Sequence, residues 1–336
     1  MKTGKVSGSV LKRSVFRQLK TKRSEVASGA AAGEDCAVLN VYSGETLLST
    51  SPVTVSGTDM ALYGIHSAVN NIAACGGQPV AVLLTILLPD NCEESELKNL
   101  MKQAEKTCSE LQIEIAGGHT EVTDAVNRIM LTVTAVGYRK NADAEAENSV
   151  ASSSMSAGTA RPGAELVMTG WAGLEGTSIA AKKTEKKLLE RFPAYLVEEA
   201  RNFDRYLSVI PEAAVAAKSG VWAVTDVSKG GVFGALWKMA ELSGVGLEID
   251  LKKIPIRQET VEICNFLDLN PYELVSGGSL LIAAENGNDL VEAMEKTGIR
   301  AAVIGKTTDG NDRVIRNGEE KRFLEPAKTD EIHKLI

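Results

Sequence analysis

Residues 80–88, a nearly unbroken apolar run between Pro79 and Pro89, constrain the fold more than any other stretch. The run is too short for a membrane-spanning helix, which needs about 20 apolar residues. Its length and bounding prolines suit a strand buried on both faces. Such a strand needs a covering layer, and its neighbours supply one. Asp59 is placed to cap a helix whose apolar positions Leu62, Ile65, Val69 and Ile72 follow a helical period, and Gly76-Gly77 ends it. On the other side, Asn91-Cys92-Glu93-Glu94 has the spacing of a capping box headed by Asn. The helix it opens presents Leu97, Leu100, Met101, Ala104, Cys108 and Leu111 to a core. Strands are expected at 37–39, 46–50, 113–116 and 129–138, with a loop over 117–128.

Residues 141–160 are rich in Ser, Ala and acidic residues and poor in large apolar side chains, which marks a linker or crossover. Beyond it, strands are expected near 165–169, 221–226, 247–251, 280–284, 301–305 and 313–316, with helices at 211–218, 232–242 and 289–296. No short-period repeat is present, which argues against a solenoid. A chain of 336 residues is long for one core. The layout is therefore α/β or α+β in two domains, 1–155 and 156–336.

A net charge of −7 argues against duplex nucleic acid as a partner, since displacing counterions needs a basic surface. The pairs Lys182-Lys183 and Lys186-Lys187 read as a solvated helix face. No stretch of about 18 apolar residues exists, so no membrane partner is expected. The start, Met1-Lys2-Thr3-Gly4-Lys5, does not open a secretory signal. Five cysteines without Cys-x-x-Cys spacing fit a reducing cytoplasm.

Several polar segments interrupt this framework. Gly33-Glu34-Asp35, between the small residues 28–32 and Cys36-Ala37-Val38, offers hard oxygen ligands suited to magnesium on a polyphosphate, or else a simple acidic turn. Ser49-Thr50-Ser51-Pro52 is a polar turn whose hydroxyls can bond phosphate. His66 and Asn70 lie four apart on one helix face, with Asn71 beside them. Gly117-Gly118-His119-Thr120-Glu121 follows a strand and combines close backbone approach with polar contacts. His119 has no ligand-spaced partner for zinc, although the fold can bring it to His66.

Thr225-Asp226-Val227-Ser228-Lys229-Gly230-Gly231 joins a strand to an amphipathic helix. There Asp226 can cap or ligate, Lys229 can neutralise phosphate, and Gly230 and Gly231 expose N–H groups at the helix start. Residues 170–177 and 276–279 form further small-residue turns, serving either substrate approach or packing. Cys75, Cys108 and Cys264 read as small core residues on helices, and Cys36 is the one candidate for reactivity.

In this order the segments resemble the AIR synthase superfamily, which includes AIR synthase, thiamine-monophosphate kinase, selenophosphate synthetase and HypE. Residues 33–38 resemble its Gly-(Asp/Glu)-Asp-x-Ala-Val loop, and residues 226–236 its Asp-x-x-x-Gly-Gly-Leu-x-Gly-x-Leu segment. The wording at 117–123 is most similar to the HypE-like, AIR synthase-related branch. The resemblance implies a two-domain PurM-like fold, with an N-terminal sheet forming a barrel across a homodimer and a C-terminal α/β domain. It implies ATP, contacted by Gly33, Glu34, Asp35, Ser51, Asn70, Asn71, Gly118, Thr120, Glu121, Asp226, Lys229, Gly230 and Gly231, and Mg2+ held by Asp35 and Asp226. Catalytic candidates are Asp35, His66, His119 and Asp226.

Two positions depart from the pattern. Ser51 and Asn71 stand where relatives carry Asp, and losing two negative charges weakens the expected metal site. HypE proteins also carry a C-terminal cysteine that receives a carbamoyl group; residues 330–336 hold none, so full HypE chemistry is not expected. Two functions follow. One is an ATP-dependent enzyme that activates an amide, carbonyl or phosphate-accepting small molecule, with a maturation protein as a further partner. The other is a dimeric nucleotide-binding regulator or scaffold with little turnover.

Overall fold

The structure is a computed structural model that describes residues 4–30, 37–40, 44–53, 57, 59–140, 155–156, 158–326 and 329–335. The chain divides into two compact units, residues 1–72 with 77–143, and residues 73–76 with 144–336.

The first unit is built on a five-stranded sheet ordered β1-β6-β5-β7-β4. Its strands are β1 (Gly4–Lys5), β4 (Gly44–Val53), β5 (Gln78–Leu88), β6 (Glu114–Val122) and β7 (Met130–Lys140). Strands β2 (Val26–Ser28) and β3 (Val38–Leu39) form a separate pair. The apolar run becomes β5, the sheet centre, parallel to β6 and antiparallel to β7. Burial on both faces holds only over Pro79–Val82; beyond it Thr85 is exposed and Leu83 and Leu87 are partly open, so one face alone is fully covered.

After the short helical segment α1 (Gly8–Val10), the long helices are α2 (Met60–Ala74) and α3 (Glu94–Leu111). The capping box of α3 starts two residues later than the sequence suggests: Glu93 N–H donates to the Glu96 carboxylate at 2.8 Å. Leu97, Leu100, Met101, Ala104 and Cys108 face inward as expected. Two buried carboxylates fix the N-terminal segment. Glu105 accepts from the N–H groups of Lys20 and Thr21, and Glu114 from Lys22 Nζ and Arg23 N–H. Their burial is tolerable because each is hydrogen-bonded.

The loop expected at 117–128 is largely strand. Ladder partners step from Val82 with Ile115 to Leu83 with Gly117, leaving Ala116 as an extra residue in a β-bulge. Gly118 follows at φ +139°, and a Cβ there would lie 2.0 Å from the Leu84 carbonyl oxygen. Glycine is what lets the ladder continue through Val122.

The second unit holds a seven-stranded sheet ordered β14-β13-β10-β12-β8-β11-β9. Its strands are β8 (Glu165–Thr169), β9 (Ala223–Asp226), β10 (Gly246–Asp250), β11 (Leu280–Ala284), β12 (Ala301–Thr308), β13 (Arg313–Asn317) and β14 (Glu320–Phe323). Its helices are α4 (Leu174–Lys183), α5 (Glu185–Leu189), α6 (Ala194–Arg201), α7 (Ile210–Lys218), α8 (Gly231–Ser243), α9 (Gln258–Leu267) and α10 (Gly287–Glu295).

Strand β11 is buried on both faces, every one of its residues being buried. Leu281 and Ala283 pack with Phe233, Leu236 and Met239 of α8. Leu280, Ile282 and Ala284 pack with Ala213 and Ala216 of α7 and Leu290 and Met294 of α10. Each such large side chain stabilises the fold by about 1.5–3 kcal/mol through burial.

Cys108 and Cys264 are buried on helices, whereas Cys75 lies just past the end of α2 and is exposed. Burial pushes the Cys264 thiol up to about 12, so it is inert as a nucleophile. Among the described residues no helix is long and apolar enough to cross a membrane.

Candidate functional site

In the first unit, α2 covers the β4 face that carries Ser49 and Ser51. Asn71 Nδ2 donates to Ser49 Oγ at 3.0 Å, and Ser67 Oγ to Ser51 Oγ at 3.3 Å. The spacings match because four helical residues rise about 6 Å and two strand residues about 6.6 Å. The two departures from the family pattern thus belong to one hydrogen-bonded seam. Hydroxyls and an amide without a carboxylate do not fit a divalent cation.

Asn70 and His66 lie on the same helix, both buried. His66 Nδ1 has no hydrogen-bond partner, and burial lowers the imidazole to about 4, so the ring is neutral at physiological pH.

His119 shares a ladder row with Thr85, Thr132 and Pro52, on the sheet face opposite α2. The sheet therefore stands between His66 and His119, and the two do not meet. His119 Nε2 instead lies 3.2 Å from Glu121 Oε2. Gly117, Gly118, His119 and Thr120 line one side of a cavity of about 910 Å3, whose apolar wall includes Phe16 and Leu83. Gly33, Glu34, Asp35 and Cys36 lie outside the described residues.

In the second unit, β9 delivers Asp226 to the turn that starts α8. Asp226 is 9% exposed, Lys238 Nζ lies 3.9 Å from its carboxylate, and the same ammonium donates to Thr225 Oγ1 at 2.9 Å. Lys229 is exposed. Gly230 and Gly231 both adopt positive φ, +82° and +62°. A Cβ on Gly231 would fall 2.5 Å from the Tyr272 carbonyl oxygen, so this turn packs against residues 272–274 as only glycine can. The two glycines do not expose their N–H groups as expected: that of Gly230 donates to Asp330 Oδ2 at 2.6 Å and that of Gly231 to the Ser228 carbonyl at 3.0 Å.

Glu175 opens α4 within the turn 170–177, part of which the sequence suggested was loop. Burial pushes its carboxyl up to about 7, with Asp330 and Asp226 adding to the rise; the Gly277 N–H and Lys229 pull the other way. Glu175, Lys238 and Asp330 were missed as site residues in the sequence. A carboxylate between Gly173 and Gly176 is a signal for the first. Lys238 lies two turns into a helix, and Asp330 is 100 residues from the glycine it contacts. Among the described residues no group of three or more His, Cys, Asp or Glu is placed to hold a metal ion.

Two family models cover most of this architecture. Residues 33–138 match the AIR synthase related protein N-terminal domain and residues 161–317 its C-terminal domain. The chain belongs to the AIR synthase related family. Among its relatives in this family is a hydrogenase expression/formation protein of Methanocaldococcus jannaschii, 24% identical over 325 residues, covering 93% of this chain and 90% of that one. The carbamoyl dehydratase HypE of Azotobacter vinelandii is 24% identical over 272 residues, covering 79% and 74%. The crystal structure of a hydrogenase maturation protein HypE in complex with ATP superposes with a TM-score of 0.76 at 18% identity, covering 98% of this chain and 96% of that one. The two-domain PurM-like α/β fold is thereby shown.

Proposed function

We propose that this AIR synthase-related chain binds ATP and uses it to activate an amide, carbonyl or phosphate-accepting small molecule. The observation that carries the reading is the β9–α8 turn. Two consecutive left-handed glycines, Gly230 and Gly231, begin a helix flanked by Asp226, Lys229 and Lys238. The helix dipole favours phosphate there, and the lysines add compensating charge. A relative of the same fold is known with ATP bound, which supports the ligand class. In this reading Lys229, Gly230 and Gly231 lie at the phosphate end of the second unit's site.

For magnesium, Asp226 is the described carboxylate that fits a phosphate-bound ion, and Asp35 is its proposed counterpart outside the described residues. The seam of Ser49, Ser51, Ser67 and Asn71 brings no charge to a metal. That seam favours a second reading, a nucleotide-binding regulator with little turnover.

We also assign a homodimer to the sheet face opposite α2. The β2–β3 pair covers it near Ala81 and Leu83, while Leu48 on the same face is 70% exposed. A second copy of the chain fits this face, and a hydrogenase-maturation protein fits as a further partner. A cytoplasmic setting suits this chemistry.

Calorimetric titration with ATP, with and without magnesium, tests the proposal. Binding that strengthens with magnesium supports the enzyme, and metal-independent binding supports the regulator. Absence of binding under both conditions overturns the nucleotide reading altogether.

A further inference from the structure

A nucleotide's phosphates need positive charge beside them, and a divalent cation held by carboxylates is the usual source. Among the described residues no three His, Cys, Asp or Glu side chains are grouped to hold such an ion. In the first unit, the polar groups between α2 and β4 are hydroxyls and an amide bonded to one another, Asn71 to Ser49 and Ser67 to Ser51. They bring no negative charge to a metal. In the second unit, Asp226 has the carboxylate that a phosphate-bound ion needs, but a cation already stands beside it. Lys238 Nζ lies 3.9 Å from Asp226 Oδ1. We propose that Lys238 takes the place of a divalent cation at Asp226, so that this chain neutralises nucleotide phosphate with an ammonium group and binds it without metal. The proposal rests on the reading above that this chain binds ATP.

An ordinary surface ion pair contributes little, and two observations set this one apart. The first is how the ammonium is held. Lys238 lies two turns into α8 and reaches back to β9, where its Nζ donates to Thr225 Oγ1 at 2.9 Å. Thr225 is 2% exposed and Asp226 9%, and both are paired with β11, Thr225 with Leu281 and Asp226 with Leu280. The ammonium is thus docked against two side chains that the sheet itself fixes. The second is its remaining capacity. An ammonium has three donors; Thr225 engages one, and half of the Lys238 side chain is open to solvent, where a phosphate oxygen can meet it. Magnesium binds a carboxylate oxygen at about 2.1 Å, which would set it next to this ammonium. Two cations on one carboxylate repel, so each excludes the other. Metal-free ATP is therefore the form that suits the site, because its magnesium complex brings a second cation to a place already filled.

The test is the ATP affinity of the full-length protein by calorimetry, once in EDTA and once in excess magnesium. For the unaltered protein the two affinities should agree within about twofold. Lys238→Met should weaken binding in EDTA about tenfold through the lost charge-assisted contact. Magnesium should then restore most of that loss, since Asp226 is left without its counter-ion. Lys238→Arg keeps a cation and should behave as the unaltered protein does. Binding that magnesium strengthens several-fold in the unaltered protein overturns the proposal and leaves the ATP reading standing. The same holds for Lys238→Met if its affinity is unchanged, or if it falls and magnesium does not repair it. Absence of ATP binding in both solutions overturns the ATP reading as well. Circular dichroism checks that the variants fold. Should Lys238→Met not fold, the unaltered protein and Lys238→Arg decide, and magnesium dependence in either overturns the proposal.

Discussion

Glu175→Gln should remove a large pH dependence from the stability of the second unit. In the folded protein the Glu175 carboxyl rises from 4.5 to about 7, chiefly through burial and then through Asp330. At about 1.36 kcal/mol per pH unit, that rise corresponds to roughly 3 kcal/mol. The sign follows from proton counts. Between pH 4.5 and 7 the folded state keeps the proton that the unfolded chain has released, so folding stability falls as pH rises through that window and levels off above it. Gln keeps the shape and an oxygen for the Gly277 N–H but cannot ionise. Glu212 is also raised to about 7 by burial, but it contributes the same slope to both proteins and cancels in the difference. The three tryptophans, Trp171, Trp222 and Trp237, all lie in the second unit, so their fluorescence in urea reports its unfolding. Between pH 4.5 and 8 the unaltered protein should lose roughly 3 kcal/mol more than the variant. Parallel stability curves would refute the assignment of a protonated Glu175.

The first unit should show the opposite dependence through His66. Its folded value of about 4 lies below the ordinary 6.5, so its contribution is intact above pH 6.5 and is lost as pH falls toward 4. His66→Leu should flatten that acid limb in circular dichroism, and an unaltered limb would count against a buried neutral ring. Gly118→Ala should destabilise by about 3 kcal/mol or more, because its Cβ would meet the Leu84 carbonyl at 2.0 Å in a backbone conformation that alanine rarely adopts. Thermal denaturation checks this, and an unchanged midpoint refutes it. Leu48→Glu should leave the midpoint in place yet halve the mass measured by light scattering, since the side chain is 70% exposed on the face assigned to the second copy. An unchanged dimer mass places the interface elsewhere.

What was legible in the sequence tracks how local each signal is. The helix 60–74 and the strands at 165–169 and 280–284 were read from periodicity and apolar runs, which act within ten or so residues. The error over β5 has the same origin. An apolar run fixes the strand but not what covers each face; β11, by contrast, carries helices on both sides. Residues 117–122 begin with two glycines, which usually weaken a strand. Here they enable one, by admitting the bulge at Ala116 and the close approach to Leu84. The neutral seam was half visible. Ser51 and Asn71 stood out as uncharged, but their pairing with Ser67 and Ser49 needs the helix laid on the strand. Asp330 carried no local mark, since its meaning lies wholly in contacts with Gly230 and Val275.

Charge at the β9–α8 turn ties these features to ligand binding. Asp226, Glu175 and Asp330 oppose Lys229 and Lys238, so the turn is net negative when every group is ionised. Holding a proton on Glu175 makes it neutral. An anionic nucleotide is therefore favoured only in the state that has shed one of these negative charges, which gives ATP affinity a pH dependence of definite sign. Affinity should fall as pH rises through about 7, the value at which Glu175 ionises. ATP's own terminal phosphate also ionises near neutrality, so the fall in the unaltered protein is not diagnostic by itself. The comparison with Glu175→Gln isolates the protein's share. Calorimetric titrations at about pH 6 and about pH 8, roughly one unit either side of the transition, should show a several-fold greater loss in the unaltered protein than in the variant. Equal losses in both would mean that Glu175 does not sense the ligand, and the phosphate would then have to sit away from this turn.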